Sequence, residues 1–281
     1  MRIVSWNMNN CMRSQAARRQ AWDYLRDEIG ADLALVQEAS PPGEFASVYN
    51  PIDEKKFNWG SAVVALRPGL KLRARKRVSL TDCYLTPAAA GELPDSHPGA
   101  CAVADILDAR GRHLFTAVSL YGQWEVMPGQ TSKMYACARL HRMISDLTGV
   151  LESSKRFPVV LAGDLNMTTQ GEKTQENQAT AVFARLRAWG MTDCIAHTRA
   201  SRPGLTDCGC PDGDACAHVQ TYRHNNRPDS QPKQLDYALI SRSLVPAMAG
   251  CHVLNDDAGW RFSDHCPVVV DLDERTLGWT P

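Results

Sequence analysis

Gly163-Asp164-Leu165-Asn166 sets a carboxylate and an amide two positions apart, directly behind the apolar run 157–162. In extended backbone, residues i and i+2 project to one side. A strand ending here would present both groups together, a common way to build a phosphate and metal site. The same tetrapeptide also suits an Asx-turn or a helix cap, and taken alone the two readings weigh equally. Four more segments place polar groups at the ends of predicted strands: Trp6-Asn7, Gln37-Glu38, Leu235-Asp236-Tyr237 and Ser263-Asp264-His265-Cys266-Pro267. Each has an ordinary alternative. Asn7 can cap a turn, Glu38 can be a surface acid, Asp236 can pair with an arginine, and His265 can be a hydrogen-bonded core histidine. As a set they offer the groups that phosphodiester hydrolysis demands. A hard divalent ion held by few carboxylates neutralises nonbridging oxygens, as magnesium or manganese does. An acid beside the attacking water takes its proton or fixes its direction. A histidine kept charged by a buried carboxylate stabilises the oxygens of the transition state.

A second cluster is of softer chemistry. Cys208-Gly209-Cys210 and Cys216-Ala217-His218 pack three thiols and an imidazole into eleven residues. The Cys-x-Cys-x5-Cys-x-His spacing is uncommon for zinc, yet its ligand set satisfies a closed tetrahedral structural site. Gly209, Pro211 and Gly213 permit tight wrapping. A flexible loop with ordinary thiols or an incidental disulfide is the competing reading. Zinc is favoured over it, because such crowding of cysteines on a polar loop is unusual.

The elements that must position these groups follow from periodicity. Alternation predicts a strand over 2–6, and Ser14 caps a helix to about residue 29, with Trp22, Leu25 and Ile29 on one face and Gly30 as its stop. A short buried strand over 32–36 ends at Gln37-Glu38. Strands follow over 61–66, 70–80, 100–107 and 114–120, some joined by turns such as Arg67-Pro68-Gly69 and Ala109-Arg110-Gly111, which favours antiparallel hairpins. Lys71, Arg73, Arg75 and Arg77 share one face of the 70–78 stretch. A charge-protected edge strand is preferred there to a nucleic-acid stripe. A helix is predicted from Thr131 or Ser132 to about 150, then the buried strand 159–162 and a helix over 176–189 closed by Gly190. The strands 219–223, 235–240, 252–254 and 267–272 complete the set.

Composition sets the bounds. The 281 residues hold enough chain for a large two-layer sheet protein, and 44% hydrophobic with 22% charged residues is ordinary for a soluble globular chain. A formal net charge of zero means that binding nucleic acid would need a local basic patch. No apolar run reaches membrane-spanning length, and residues 2–6 enter directly as a strand, so neither membrane association nor a signal peptide is expected. Ten cysteines in such a chain point to a reducing, cytoplasmic setting. One domain over 1–281, with a Cys/His-rich loop insertion at about 205–218, is the simplest organisation.

In order and spacing, the five motifs from Trp6 to Pro267 resemble those of the endonuclease/exonuclease/phosphatase superfamily, the group containing pancreatic deoxyribonuclease, exonuclease III and apurinic endonucleases. The resemblance implies an α+β (α/β sandwich) fold of the deoxyribonuclease I type, with two packed mixed β-sheets flanked by helices in four layers. It implies a magnesium- or manganese-dependent phosphoric-ester hydrolase. By position, Glu38 matches the principal metal ligand with Asn7 beside it, and Asp264 matches the acid near the metal. Asp164 matches the residue that activates or positions the water, and Asn166 the amide that orients water and phosphate. His265 matches the histidine on the scissile phosphate, and Asp236 the acid that holds its ring. Tyr121 sits where relatives keep a phosphate-contacting tyrosine, and Asn9 where they often have a second amide or acid. Arg223, His224 and Arg227 fall in a segment resembling the substrate-facing strand and loop, with a solvated loop as the alternative. The segments 167–171 and 221–227 differ from those of apurinic endonucleases, which separates the chain from that subgroup's abasic-site specificity. The cysteine loop has no counterpart in the family pattern.

A nuclease on DNA or RNA is therefore the leading expectation. The second is a phosphatase or phosphodiesterase on a small molecule, lipid headgroup or protein–nucleic-acid adduct. The third, a silent scaffold with a zinc-binding loop, fits poorly with so complete a set of acids, amides and histidine.

Overall fold

The computed structural model describes residues 1–10, 13–53, 57–79, 91–126, 133–134, 136, 137–170, 173–201, 204–205, 208, 210 and 212–279. The first half of the chain forms β1 (Arg2–Asn7), β2 (Leu33–Ala39), β3 (Ala46–Asp53), β4 (Phe57–Ala65), β5 (Lys71–Ala74), β6 (Lys76–Ser79), β7 (Glu92–Asp95) and β8 (Cys101–Leu107). The second half adds β9 (His113–Leu120), β10 (Glu125–Val126), β11 (Lys133–Met134), β12 (Val159–Asp164), β13 (Met191–Asp193), β14 (Asp236–Ser241), β15 (Met248–Val253) and β16 (Val268–Leu272). Two six-stranded sheets result, in the orders β15-β16-β1-β2-β4-β3 and β13-β14-β12-β9-β8-β5, with the pairs β10-β11 and β6-β7 apart from them.

Strand alternation builds the layers. Ile3, Leu33, Leu35 and Val63 of the first sheet meet Ile106, Phe115, Ala117, Val160 and Ile240 of the second in one core between the sheets. The alternate residues face outward. Val4, Trp6, Ala34 and Val36 pack beneath Trp22 and Leu25 of the first helix, while Val159 and Leu161 pack beneath Leu140, Ile144, Val182 and Leu186 of two later helices. Each fully buried side chain of this size contributes roughly 1.5–3 kcal/mol. The helix–sheet–sheet–helix order agrees with the expected sandwich.

Topology explains why polar groups gather at one rim. β1 pairs parallel to β2 and antiparallel to β16, and β12 pairs parallel to β9 and antiparallel to β14. Parallel neighbours therefore bring their finishing ends to this rim, and antiparallel ones their starting ends. Asn7 and Asp164 close their strands there, and Asp236 opens β14 in register with Asp164. Gly163 is required at the turn-off, because a Cβ at that position would collide with the Leu120 carbonyl oxygen of the adjoining strand.

Several boundaries differ from expectation. The first helix, capped by Ser14 accepting from Ala17 N at 3.2 Å, runs over Gln15–Asp23 and widens into a π-helical turn over Tyr24–Glu28. The helix expected from 131 or 132 to 150 is two pieces, Cys137–Asp146 and Thr148–Glu152, with Met134 in β11; residues 131–132 lie outside the described set. The third helix covers Lys173–Ala188. The 70–80 stretch is two strands, β5 in the second sheet and β6 paired with β7, and the Arg67-Pro68-Gly69 turn joins strands of different sheets rather than a hairpin. Residues 219–223 form no strand, only bridges from Tyr222 to Lys233 and His265. Among the described strands, β3, β7, β10 and β13 have no counterpart in the predicted elements. Among the described residues, no helix is long and apolar enough to cross a membrane.

Candidate active site

At the rim a chain of hydrogen bonds joins the two sheets. Asn7 Nδ2 donates to Glu38 Oε1 at 3.1 Å and to Asp164 Oδ2 at 2.9 Å. Asp164 accepts further from Asn166, from its backbone N at 2.8 Å and its Nδ2 at 2.9 Å. His265 Nε2 stands 3.8 Å from Asp164 Oδ2, while its Nδ1 bonds Asp236 Oδ2 at 2.8 Å. Asn7, Asp164, Asn166, Asp236 and His265 are all buried. Asp164, Asp236 and His265 are close enough that one oxygen or nitrogen from each lies within 4.8 Å of the others. On the opposite flank Tyr121 OH donates to Glu38 Oε1 at 2.7 Å, and Asn9 Nδ2 donates to Asp264 Oδ1 at 2.7 Å.

Local backbone aims these groups. β2 slips register against β4 between Val36 and Ala39, and Glu38 within that slip has φ 46°. Such a bulge turns a side chain away from the strand's alternation. Asn9 and Asn166 are likewise left-handed, at φ 47° and 48°. Left-handed residues other than glycine cluster where a site over-determines the chain, and three meet here.

The charges are coupled. Burial pushes the Asp164 carboxyl above its ordinary range, against the pull of His265, and the neighbouring Asp236 adds to the rise. Burial alone would lower the His265 pKa, but Asp236, Asp164 and Asp264 together outweigh it and raise it, favouring imidazolium. Glu38, Asn7 and Asp264 carry oxygen donors of the hard kind, which suit magnesium or manganese rather than a soft metal, with Asn7 turning its amide nitrogen to Glu38 and its oxygen to Asn9 N. No side-chain bond links Glu38 to Asp264 directly; each reaches the constellation through an asparagine.

The structure brings every catalytic and magnesium-binding candidate read from the sequence to this rim. Of the proposed substrate contacts, Arg223 lies against it, its backbone N donating to Asp264 O at 2.8 Å and its guanidinium 4.2 Å from the Trp260 ring centroid. His224 is exposed and bonds Tyr222 OH at 3.1 Å, and Arg227 is exposed at the end of the same turn. Cys208, Cys210, Cys216 and His218 gather separately into one cluster; Gly209 and Pro211 lie outside the described residues.

Some members were not singled out beforehand. Tyr222 packs its ring 4.8 Å from that of His265, and its hydroxyl is pushed up to about 12 by burial and the charges of Asp264, Asp164 and Glu38. Thr221 Oγ1 accepts from the backbone of Leu235 and Asp236. Ser263 Oγ donates to Asn7 O, and Trp6 Nε1 donates to His265 O. Gln37 crosses between the sheets to Ser119 Oγ at 2.9 Å. Trp6, Gln37 and Ser263 lie inside the five motifs, whereas Thr221 and Tyr222 lie outside them in sequence.

Two mixed sheets carrying a carboxylate–amide–histidine constellation across one rim define a phosphoesterase architecture. The chain belongs to the Endonuclease/Exonuclease/phosphatase family, whose sequence profile matches residues 4–265. It is 23% identical over 295 residues to the exodeoxyribonuclease of Bacillus subtilis (strain 168), covering 97% of this chain and 100% of that protein. It is 22% identical to the DNA-(apurinic or apyrimidinic site) endonuclease 2 of Schizosaccharomyces pombe over 99% of this chain, but spans only 59% of that protein's length. In fold it is similar to an AP endonuclease from Archaeoglobus fulgidus, with TM-score 0.64 and 14% identity over 97% of this chain and 99% of that one.

Proposed function

We propose that the chain is a divalent-cation-dependent phosphodiesterase acting on DNA. The observation that carries this reading is the unbroken bonded chain Glu38–Asn7–Asp164, extended by His265 and Asp236. The names of the relatives point to DNA as substrate. Glu38, Asn7 and Asp264 are the residues that would hold magnesium or manganese. Bound there, the ion supplies charge neutralisation and Lewis acidity at the scissile phosphate.

The chain's own residues account for the rest. Asp164 Oδ2 faces Asn7, Asn166 and His265 at once, so the two amides fix the carboxylate and a water beside it can pass its proton there. The Nε2 edge of His265 points to the same place and, held by Asp236, can donate to a nonbridging phosphoryl oxygen. Tyr222, Arg223, His224 and Arg227 supply an aromatic and basic border, of the kind that follows a nucleic-acid backbone. A reducing, cytoplasmic compartment suits the ten cysteines.

The test is a panel of labelled single- and double-stranded DNA, abasic DNA, RNA and simple phosphate esters, each with magnesium, manganese or EDTA. Cation-dependent cleavage of DNA is expected, and Asp164→Asn should lower kcat by about 10²–10⁴-fold while its thermal melt stays that of a folded protein. Cleavage undiminished in that variant would remove Asp164 from the mechanism. Turnover of simple esters with inert DNA would move the substrate to a small molecule.

A further inference from the structure

Outside the active site, the Sγ atoms of Cys208, Cys210 and Cys216 and a ring nitrogen of His218 lie within 4.8 Å of one another. His218 Nδ1 stands 3.4 Å from Cys208 Sγ and 3.4 Å from Cys216 Sγ. A tetrahedral zinc with Zn–S of about 2.3 Å and Zn–N of about 2.0–2.1 Å requires sulfur–nitrogen separations of about 3.5 Å. These two edges thus have the dimensions of the ion's coordination sphere, and the other ligand atoms lie within 4.8 Å of them. His218 and Cys216 are buried, so water does not compete freely for the site.

The outer contacts complete the case. His218 Nε2 meets Thr169 Oγ1 at 2.6 Å, leaving Nδ1 as the nitrogen that faces the thiols. A bond on the remote nitrogen of this kind fixes ring and tautomer in metal-ligating histidines. Gln170 Nε2 donates to Cys208 Sγ at 3.1 Å, and its Oε1 accepts from Gln234 N at 2.8 Å. Leu205 N donates to His218 O at 3.1 Å and closes the loop on itself.

We infer that Cys208, Cys210, Cys216 and His218 bind one structural zinc ion, which fastens the 204–218 loop to the two segments carrying the active-site acids. Thr169 and Gln170 lie just beyond Asn166, and Gln234 lies two residues before Asp236. The four ligands close the coordination sphere, leaving no position for a substrate or an activated water. This metal differs in chemistry from the hard cation of the catalytic rim, and its binding does not depend on that reading.

The full-length protein, expressed in zinc-containing medium and purified without chelator or metal-affinity resin, is exchanged into magnesium buffer and analysed by elemental mass spectrometry and zinc-edge X-ray absorption. One zinc per chain is expected, with three sulfurs at about 2.3 Å and one nitrogen at about 2.0 Å. Asp164→Asn should carry the same zinc, so loss of the catalytic proposal would leave this one standing. Cys216→Ser should lose the ion, while His218→Cys, which restores a four-thiolate sphere, should keep it. Thr169→Val should weaken zinc affinity about 10–100-fold. Should Cys216→Ser fail to fold, mercurial titration of the native chain replaces it, and one zinc should be released as three thiols react. Zinc below a fifth of an equivalent even after zinc titration, a shell of oxygen and nitrogen without sulfur, or stoichiometric iron in its place would each overturn the assignment.

Discussion

Glu38 shows how one residue is specified twice, by its carboxylate and by its backbone. Its left-handed φ of 46° costs an L-residue on the order of 1–3 kcal/mol, and Asn7 and Tyr121 hold the side chain where that conformation aims it. The Tyr121 hydroxyl therefore acts on Glu38 in this structure, whereas the resemblance gave it a phosphate. The two roles separate experimentally. Tyr121→Phe is expected to raise the magnesium concentration for half-maximal activity about 10-fold while kcat at saturating magnesium stays near wild type. A fall in kcat/KM that magnesium cannot restore would return Tyr121 to the phosphate. The acids of the site were legible because each borders an apolar run, Glu38 and Asp164 after theirs and Asp236 and Asp264 before. Tyr222 was not, since its partner His265 is 43 residues away in sequence and only the folded chain lays the two rings together.

At the scale of elements, the basic run 71–77 resolves into ion pairing. Arg73 and Arg75 both reach Asp105 on β8, Arg77 reaches Asp95, and Lys76 reaches Glu92. The charge-protected edge strand is the reading that fits β5. Burial pushes the Asp105 carboxyl up, but bonds from His113, Arg75 and Thr116 prevail and hold it well below the usual range. A carboxyl depressed on folding stabilises the fold above its unfolded pKa of about 3.9, and that contribution is lost as pH falls further. Asp105→Asn is accordingly expected to destabilise the protein by about 3 kcal/mol near neutrality, and its melting temperature should fall less than wild type's between about pH 5 and pH 3. Parallel acid limbs for the two proteins would dissociate Asp105 from acid stability. Elsewhere, local signals succeeded where they were complete. Ser14 and Gly30 bracket the first helical segment, and Val159–Ala162 could only be a buried strand. They failed where periodicity ran across a boundary, as at Met134. They failed again where alternation had no partner strand, as over 219–223, and they gave no element over β3, which carries Pro51.

At the scale of the molecule, the two sheets contribute different halves of the site. The first supplies Asn7 and Glu38, with Asp264 and His265 leading into β16, and the second supplies Asp164 and Asp236. This two-sheet plan was implied by the chain length and the family resemblance, but the crossing of chain between sheets after β4 was not, because the same short turn serves a hairpin or a crossover. Besides the apolar core, the halves are registered by Asn7 on Asp164, by His265 on Asp236, and by Gln37 on Ser119, whose hydroxyl in turn donates to Val36 O. Catalytic competence is thus a matter of alignment between two slabs, each internally bonded along its own strands. Small relative slippage would misplace the reacting groups by an ångström, enough to cost about 10²-fold in rate, with every strand still formed. In a urea titration, activity should vanish at lower concentration than the far-ultraviolet dichroism of the sheets, and superimposed curves would mean that the slabs cannot slide without melting.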